Sequence, residues 1–288
     1  MDRSSGRRET GNIFSRWTAC YPLGMFWCLA FGISWILWLP LVATSFGFHL
    51  PTLPAHHFWG ALGPCVAALI VTGLTKGKAG VMDLARRIVR WRGEVKWYLI
   101  AIGGPPAVFA IAALVSGFTR GNWGVFRQLG SSEEFPGIGI LGLWIFHTVT
   151  FGFGEEIGWR GFVLPRLQRT HSALSATVLL SAAWASWHWP TFLYRPGYST
   201  MDLVTGVGWF VSIVTGAILL TWLYNSSGGS ILIVSLFHGS MDVVFTSKGV
   251  GPDMMSVMGT LIVLWALLIL VMLGPASLSR FSKQVDSA

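Results

Sequence analysis

Charge is scarce in this sequence. Lys, Arg, Asp and Glu make up 11% of its 288 residues, less than half the roughly 25% of an average soluble domain. No polar stretch is long enough to bury a core of its own, which excludes separate soluble domains. Cysteine is scarce as well. Cys20, Cys28 and Cys65 form an odd set without metal-ligand spacing, so a disulfide framework and a zinc ribbon are both excluded. They read as small apolar residues in or near membrane helices. There is no internal repeat, heptad seam or low-complexity tract.

What is present is apolar. Hydrophobic residues account for 53% of the chain, and the mean hydropathy is +0.60. Runs that span a bilayer need about 17–25 residues. Eight are expected: Leu23–Phe48, about Phe58–Thr75 with an interruption at Gly63–Pro64, Trp97–Phe118, a fourth from near Gly137 to about Gln168, Ser172 to about Pro190, Val204–Tyr224, Ser230–Phe245 and Met254–Gly274. The expected architecture is therefore all-α: a polytopic membrane helical bundle of about eight transmembrane helices, forming one membrane-embedded domain over residues 1–288. The basic, polar tail 1–20 resembles the start of a signal peptide. The run after it is too long for a signal core and lacks a small-residue cleavage site, so it reads as an uncleaved first span.

The net charge of +8 suggests nucleic acid until the cations are placed. With a cytoplasmic N-terminus, sixteen of the 20 Lys and Arg fall in inner segments and four, Arg120, Arg127, Arg195 and Lys248, in outer ones. That asymmetry is the positive-inside pattern, which supports N-in and C-in and makes the basic charge topological. The lipid bilayer is the implied partner and nucleic acid is not. Asp83–Arg92, DLARRIVRWR, spaces Leu84, Ile88 and Trp91 like a short interfacial helix whose arginines meet anionic headgroups. Ser131–Pro136 is a polar loop, and Asn225–Ser230 a tight turn.

Against this background FGFGEEIGWRGF is anomalous. It places Glu155, Glu156 and Arg160 inside the fourth run, where each charge costs at least about 2.5–3.5 kcal/mol and normally faces a cavity or a partner. Glu156 and Arg160, at i and i+4, suit an ion pair; Glu155 points about 100° away and is left for other work. Trp184 precedes His188 by one turn, which sets an indole beside the imidazole. His238 and Asp242 repeat the one-turn spacing, and a carboxylate commonly orients a histidine in catalytic and metal sites. If the fourth helix continues to Gln168, Glu155 lies about 20 Å above its inner end, and His188 and His238 lie about 24 Å and 12 Å into theirs. Ordinary tilt lets the three meet. Each feature has a plainer reading: a Glu–Arg clamp pinning two helices, a core histidine near a helix end, a packing pair. Together they supply the inventory for activating water. His147 reads as a satisfied packing histidine, and His49, His56, His57 and His171 as loop or helix-end residues.

At these residues the sequence resembles the CPBP family, the type II CAAX prenyl endopeptidases with their abortive-infection and bacteriocin-immunity relatives. EEIGWR fits the pattern EExxxR, WASWH an aromatic followed by xxxH, and HGSMD the pattern HxxxN or HxxxD, in that order within a core of about 137–245. The resemblance implies an intramembrane endopeptidase in a bacterial or archaeal cell membrane, cutting a peptide or membrane-protein substrate near the cytoplasmic side. It implies that Glu155 and His188 activate water, that Glu156 and Arg160 support the site, and that His238 and Asp242 stabilise the oxyanion. An ionised Asp242 has no hydrogen to donate, so its expected part is to orient His238 as an imidazolium donor. No cofactor is expected. Zn²⁺ held by the same acids and histidines is the disfavoured alternative, and a non-catalytic immunity or regulatory protein or a proton-coupled carrier are the others.

Overall fold

In the computed structural model, residues 18 and 20–286 are described; the rest of the basic tail 1–20, with Arg3, Arg7, Arg8 and Arg16, lies outside them. The apolar runs fold into eight helical rods with no strand among the described residues. These are α1 (Pro22–Ser45), α2 (His56–Ile88), α3 (Val95–Arg120), α4 (139–167), α5 (Ala173–Trp187), α6 (Leu203–Ser226), α7 (Ile231–Thr246) and α8 (Pro252–Leu273). α1, α2, α3, α6 and α8 are each long and apolar enough to cross a membrane, and α7 is a shorter apolar helix. The protein is a polytopic helical membrane bundle.

Local chemistry sets the boundaries. α5, α6 and α7 each start at a side-chain cap, where Ser172, Asp202 and Ser230 accept the amides of Ser175, Thr205 and Ile233. α5 has only 15 residues, about 22 Å, and Pro190 follows just beyond its end. α7 has 16, about 24 Å. Both fall short of a hydrocarbon core about 30 Å thick, so the bundle is hollow at the end where they stop.

α2 corrects the expected interfacial helix. Its second half continues through Lys76 and Lys78 to Ile88, because Gly77 (φ 59°, ψ −157°) bends the rod without ending it. Arg87 does not face headgroups. Its Nη1 donates to the Gly161 carbonyl (2.9 Å) and the Tyr224 hydroxyl (3.2 Å), and Arg90 donates to the Gly228 carbonyl.

The two ends of the bundle differ. At one end Gln168 and Asn225 exchange side-chain hydrogen bonds (3.1 and 2.8 Å) and both hold the segment after α8, through Gln284 and Ser277. Asp286 pairs there with Lys76 (3.0 Å) and Arg166 (3.1 Å). At the other end the ties are Arg195 to Glu134 (2.7 Å) and Arg120 to Asp253 (3.0 Å).

α4 is the central rod, and glycine is what lets it be central. A Cβ on Gly158 would sit 2.6 Å from Pro64 Cβ of α2, and one on Gly152 would sit 2.5 Å from the Ser235 carbonyl oxygen of α7. Small residues bring membrane helices to this distance. Gly152→Val should therefore lower the midpoint of thermal unfolding in detergent, by an overpacking cost of about 1–3 kcal/mol. Gly208→Ala, where nothing lies within 4 Å, should leave the midpoint unchanged or raise it. Equal midpoints for the two variants would contradict this packing.

Candidate active site

α4 is not uniform. Two π-helical stretches, Thr148–Phe153 and Trp159–Val163, flank the single α-turn Gly154–Gly158 that carries both glutamates. Such bulges are frequent at functional sites. Here they send Glu155 and Glu156 toward different neighbours.

Glu155 is 3% exposed. Its Oε2 accepts the indole N–H of Trp184 on α5 (2.7 Å) and of Trp159 one turn along α4 (3.2 Å). A buried carboxylate needs such donors, since an unsatisfied one is costly. Glu156 is fully buried; its Oε1 accepts Arg160 Nη1 (2.9 Å) and His238 Nδ1 (2.8 Å). The expected Glu156–Arg160 pair is present, and the guanidinium lies 4.9 Å from the Trp184 ring centroid.

His188 caps α5 and donates Nδ1–H to the Trp184 carbonyl (2.8 Å). A carbonyl only accepts, so Nε2 carries the lone pair. The Trp184 ring is tilted against the His188 imidazole at 51°, with 5.9 Å between centroids, and meets His238 edge-on at 5.7 Å. His238 is held differently from expectation. Glu156, not Asp242, is its hydrogen-bonded carboxylate, because the Nε2 to Asp242 Oδ2 distance is 3.9 Å, beyond a hydrogen bond. One tryptophan therefore touches Glu155, Arg160, His188 and His238.

Glu155, His188, His238 and Asp242 line one cavity of about 470 Å³. Glu156 and Arg160 stand behind it. A larger cavity of about 1050 Å³ lies at the opposite end, among Lys76, Arg166 and Asp286; it holds none of these groups. Among the described residues no three His, Cys, Asp or Glu side chains are grouped to hold a metal ion. The α4 acids take nitrogen donors instead.

The cavity contains residues that the sequence did not single out. Trp187, Tyr198 and Trp209 form its aromatic wall around His188. His57, which reads as a loop or helix-end residue, stands in the first turn of α2 with Nδ1 2.7 Å from the Tyr194 hydroxyl. His147 is not the satisfied packing residue expected. It stacks on Phe151 at 5.5 Å, its Nδ1 has no hydrogen-bond partner among the described residues, and it borders the same cavity. Spacing offered one missed signal: Trp159 follows Glu155 by four residues and was open to the rule that paired Glu156 with Arg160. His49, His56 and His171 lie in loops or at a helix start, as expected.

Residues 137–244 match the family model described as type II CAAX prenyl endopeptidase, Rce1-like. This span contains α4, α5, α6 and most of α7. CAAX prenyl protease 2 of Methanococcus maripaludis is 25% identical over 233 residues, which cover 76% of this chain and 82% of that protein.

The two glutamates should differ in what their loss does to folding. Glu156→Gln breaks a buried ion pair, at a cost of about 3–5 kcal/mol. Glu155→Gln keeps an oxygen acceptor for the two indoles and should cost about 1 kcal/mol or less. Thermal unfolding of both variants in one detergent checks the order, and a Glu155→Gln protein less stable than Glu156→Gln would contradict it.

Proposed function

We propose that this chain, whose residues 137–244 match the Rce1-like family of type II CAAX prenyl endopeptidases, is an intramembrane endopeptidase using a glutamate and two histidines. The chain acts as one membrane-embedded unit crossing the bilayer eight times, with both ends on the basic side. The observation that carries the reading is that Glu155, His188 and His238, from three separate rods, meet through Trp184 at one cavity.

In this mechanism a water lies between the Glu155 carboxylate and His188 Nε2. Glu155 takes one of its protons as the oxygen attacks the scissile carbonyl carbon. The carbonyl π electrons move onto oxygen, and His238 donates from Nε2 to that oxyanion as an imidazolium. Collapse of the tetrahedral intermediate breaks the C–N bond, and Glu155 returns the proton to the leaving amine. Glu156 positions His238 through Nδ1, and Arg160 neutralises Glu156. Asp242, 24% exposed in its side chain, faces His238 Nε2 at the same wall and holds the imidazolium by charge. In this reading the hydrolysis is metal-independent, which the nitrogen donors that engage both α4 carboxylates support. The substrate is a membrane-associated peptide or protein, with a prenylated CAAX tail as the chemistry named for the Methanococcus relative.

The test is turnover of a quenched farnesylated CAAX peptide and of an unmodified control by purified protein in detergent, with and without chelator. Glu155→Ala should lower kcat by about 10²–10⁴-fold and His238→Ala by about 10²–10³-fold, both in folded protein. His188→Ala should abolish cleavage, and chelator should change nothing. Unchanged turnover in Glu155→Ala and His188→Ala would overturn the roles, and loss with chelator alone would move the reaction to a metal.

A further inference from the structure

The larger cavity, about 1050 Å³, has no part in the reaction. It lies where the first turn of α1, the bent part of α2 and the end of α4 come together, between Leu23, Lys76, Ala79, Arg166 and Arg169. α1 begins at Pro22 and the helical part of α4 ends at Leu167. The cavity therefore sits where the rods leave the hydrocarbon and headgroups begin.

Its charges are arranged for an anion. Asp83 is held by Arg87 Nε (3.2 Å). The other acid of the lining, Asp286, sets one oxygen, Oδ2, between Lys76 Nζ (3.0 Å) and Arg166 Nη2 (3.1 Å). Arg166 is a built part of the wall: its side chain is 10% exposed, its Nη1 donates to the Phe162 carbonyl (2.8 Å), and its guanidinium lies 3.6 Å from the Phe162 ring centroid. No acid among the described lining residues is left for Arg169, whose side chain has no hydrogen bond or ion pair among the described residues. One carboxylate oxygen thus serves two cations, with a third in the same cavity. That carboxylate arrives on the segment after α8, tethered by the Asp286 amide to the Pro165 carbonyl (3.2 Å). A phosphate ester offers more oxygens than this to guanidinium forks.

The flank of the cavity suits a hydrocarbon chain. On α2, Val66, Ile70 and Leu74 are exposed at four-residue spacing, and this apolar stripe ends one residue before Thr75 of the cavity wall. We propose that the cavity among α1, α2 and α4 is a phosphate site for the headgroup of an anionic phospholipid, bound by Lys76, Arg166 and Arg169 in competition with Asp286. Basic pockets between membrane helices hold headgroups in this way. The headgroup contact expected of Asp83–Arg92 is thereby moved to the bend of α2 and the end of α4. The site is separate from Glu155 and His188 and does not depend on the endopeptidase reading.

The experiment uses the purified full chain, stripped of lipid in detergent, and mixed micelles carrying phosphatidylglycerol or phosphatidylcholine. The midpoint of thermal unfolding should rise to a plateau with phosphatidylglycerol and far less with phosphatidylcholine. Arg169→Ala should raise the half-saturating phosphatidylglycerol concentration about fivefold. Asp286→Asn should lower it, because the competing anion is gone. Arg127→Ala, which removes an exposed cation outside this cavity, should leave it unchanged. Equal midpoints with the two lipids, or equal losses in Arg127→Ala and Arg169→Ala, overturn the site. Weaker binding by Asp286→Asn overturns the competition. Saturation by glycerol phosphate at the same concentration as by phosphatidylglycerol overturns the lipid and leaves a soluble phosphate ester as the ligand.

Discussion

The indole N–H of Trp184 on the Glu155 carboxylate, 2.7 Å across the α4–α5 boundary, is the interaction on which the rest of the site depends. A carboxylate that is 3% exposed in an apolar bundle must find donors or lose its charge. Trp184 supplies one and spends its remaining surface on the other members of the site. Its ring faces Arg160 and meets the edge of His238, and its carbonyl fixes which nitrogen of His188 is protonated. A side chain that is mostly hydrocarbon with one donor suits this place. It fills volume like a core residue and leaves no polar atom of its own unsatisfied.

Around that contact, charge is compensated by cross-connection. Glu156 joins Arg160 on its own helix to His238 on α7, so one acid closes both an intrahelical pair and an interhelical one. The close approach that this requires comes from glycine at the interfaces of α4 with α2 and α7, and the divergence of two adjacent glutamates from π-turns on either side of them. Packing, backbone irregularity and electrostatics all act on one stretch of α4, Thr148 to Val163. The hollow in front of them has a simpler origin: two helices about a quarter shorter than the hydrocarbon core.

The order of the rods was legible from apolar runs because bilayer thickness allows few lengths. α1 begins at Pro22 and α8 ends at Leu273, each within a residue of the expected bounds. α2 was misjudged because Lys76, Gly77 and Lys78 look like a loop, whereas a glycine at positive φ carries the helix through a bend. In the site, pairs within one helix were legible and pairs between helices were not. Spacing of four residues exposes Glu156–Arg160, yet no periodicity relates position 156 to 238 or 155 to 184. Asp242 was given the orienting part on its one-turn spacing from His238 and on an ionised carboxylate having no hydrogen to donate, and the distance of 3.9 Å shows that it does not hydrogen-bond His238. His57, Tyr198 and Trp209 joined the cavity through tertiary packing, where sequence offers no local signal.

The central claim is that Glu155 and His188 act on one water as a unit, and a double-variant cycle on turnover tests it most directly. Groups that work as a unit are far from additive: removing the second costs little once the first is gone. The account predicts that Glu155→Ala/His188→Ala is no slower than the slower of its two single variants. Losses that multiply in the double variant would mean that the two side chains act separately, and would contradict the account.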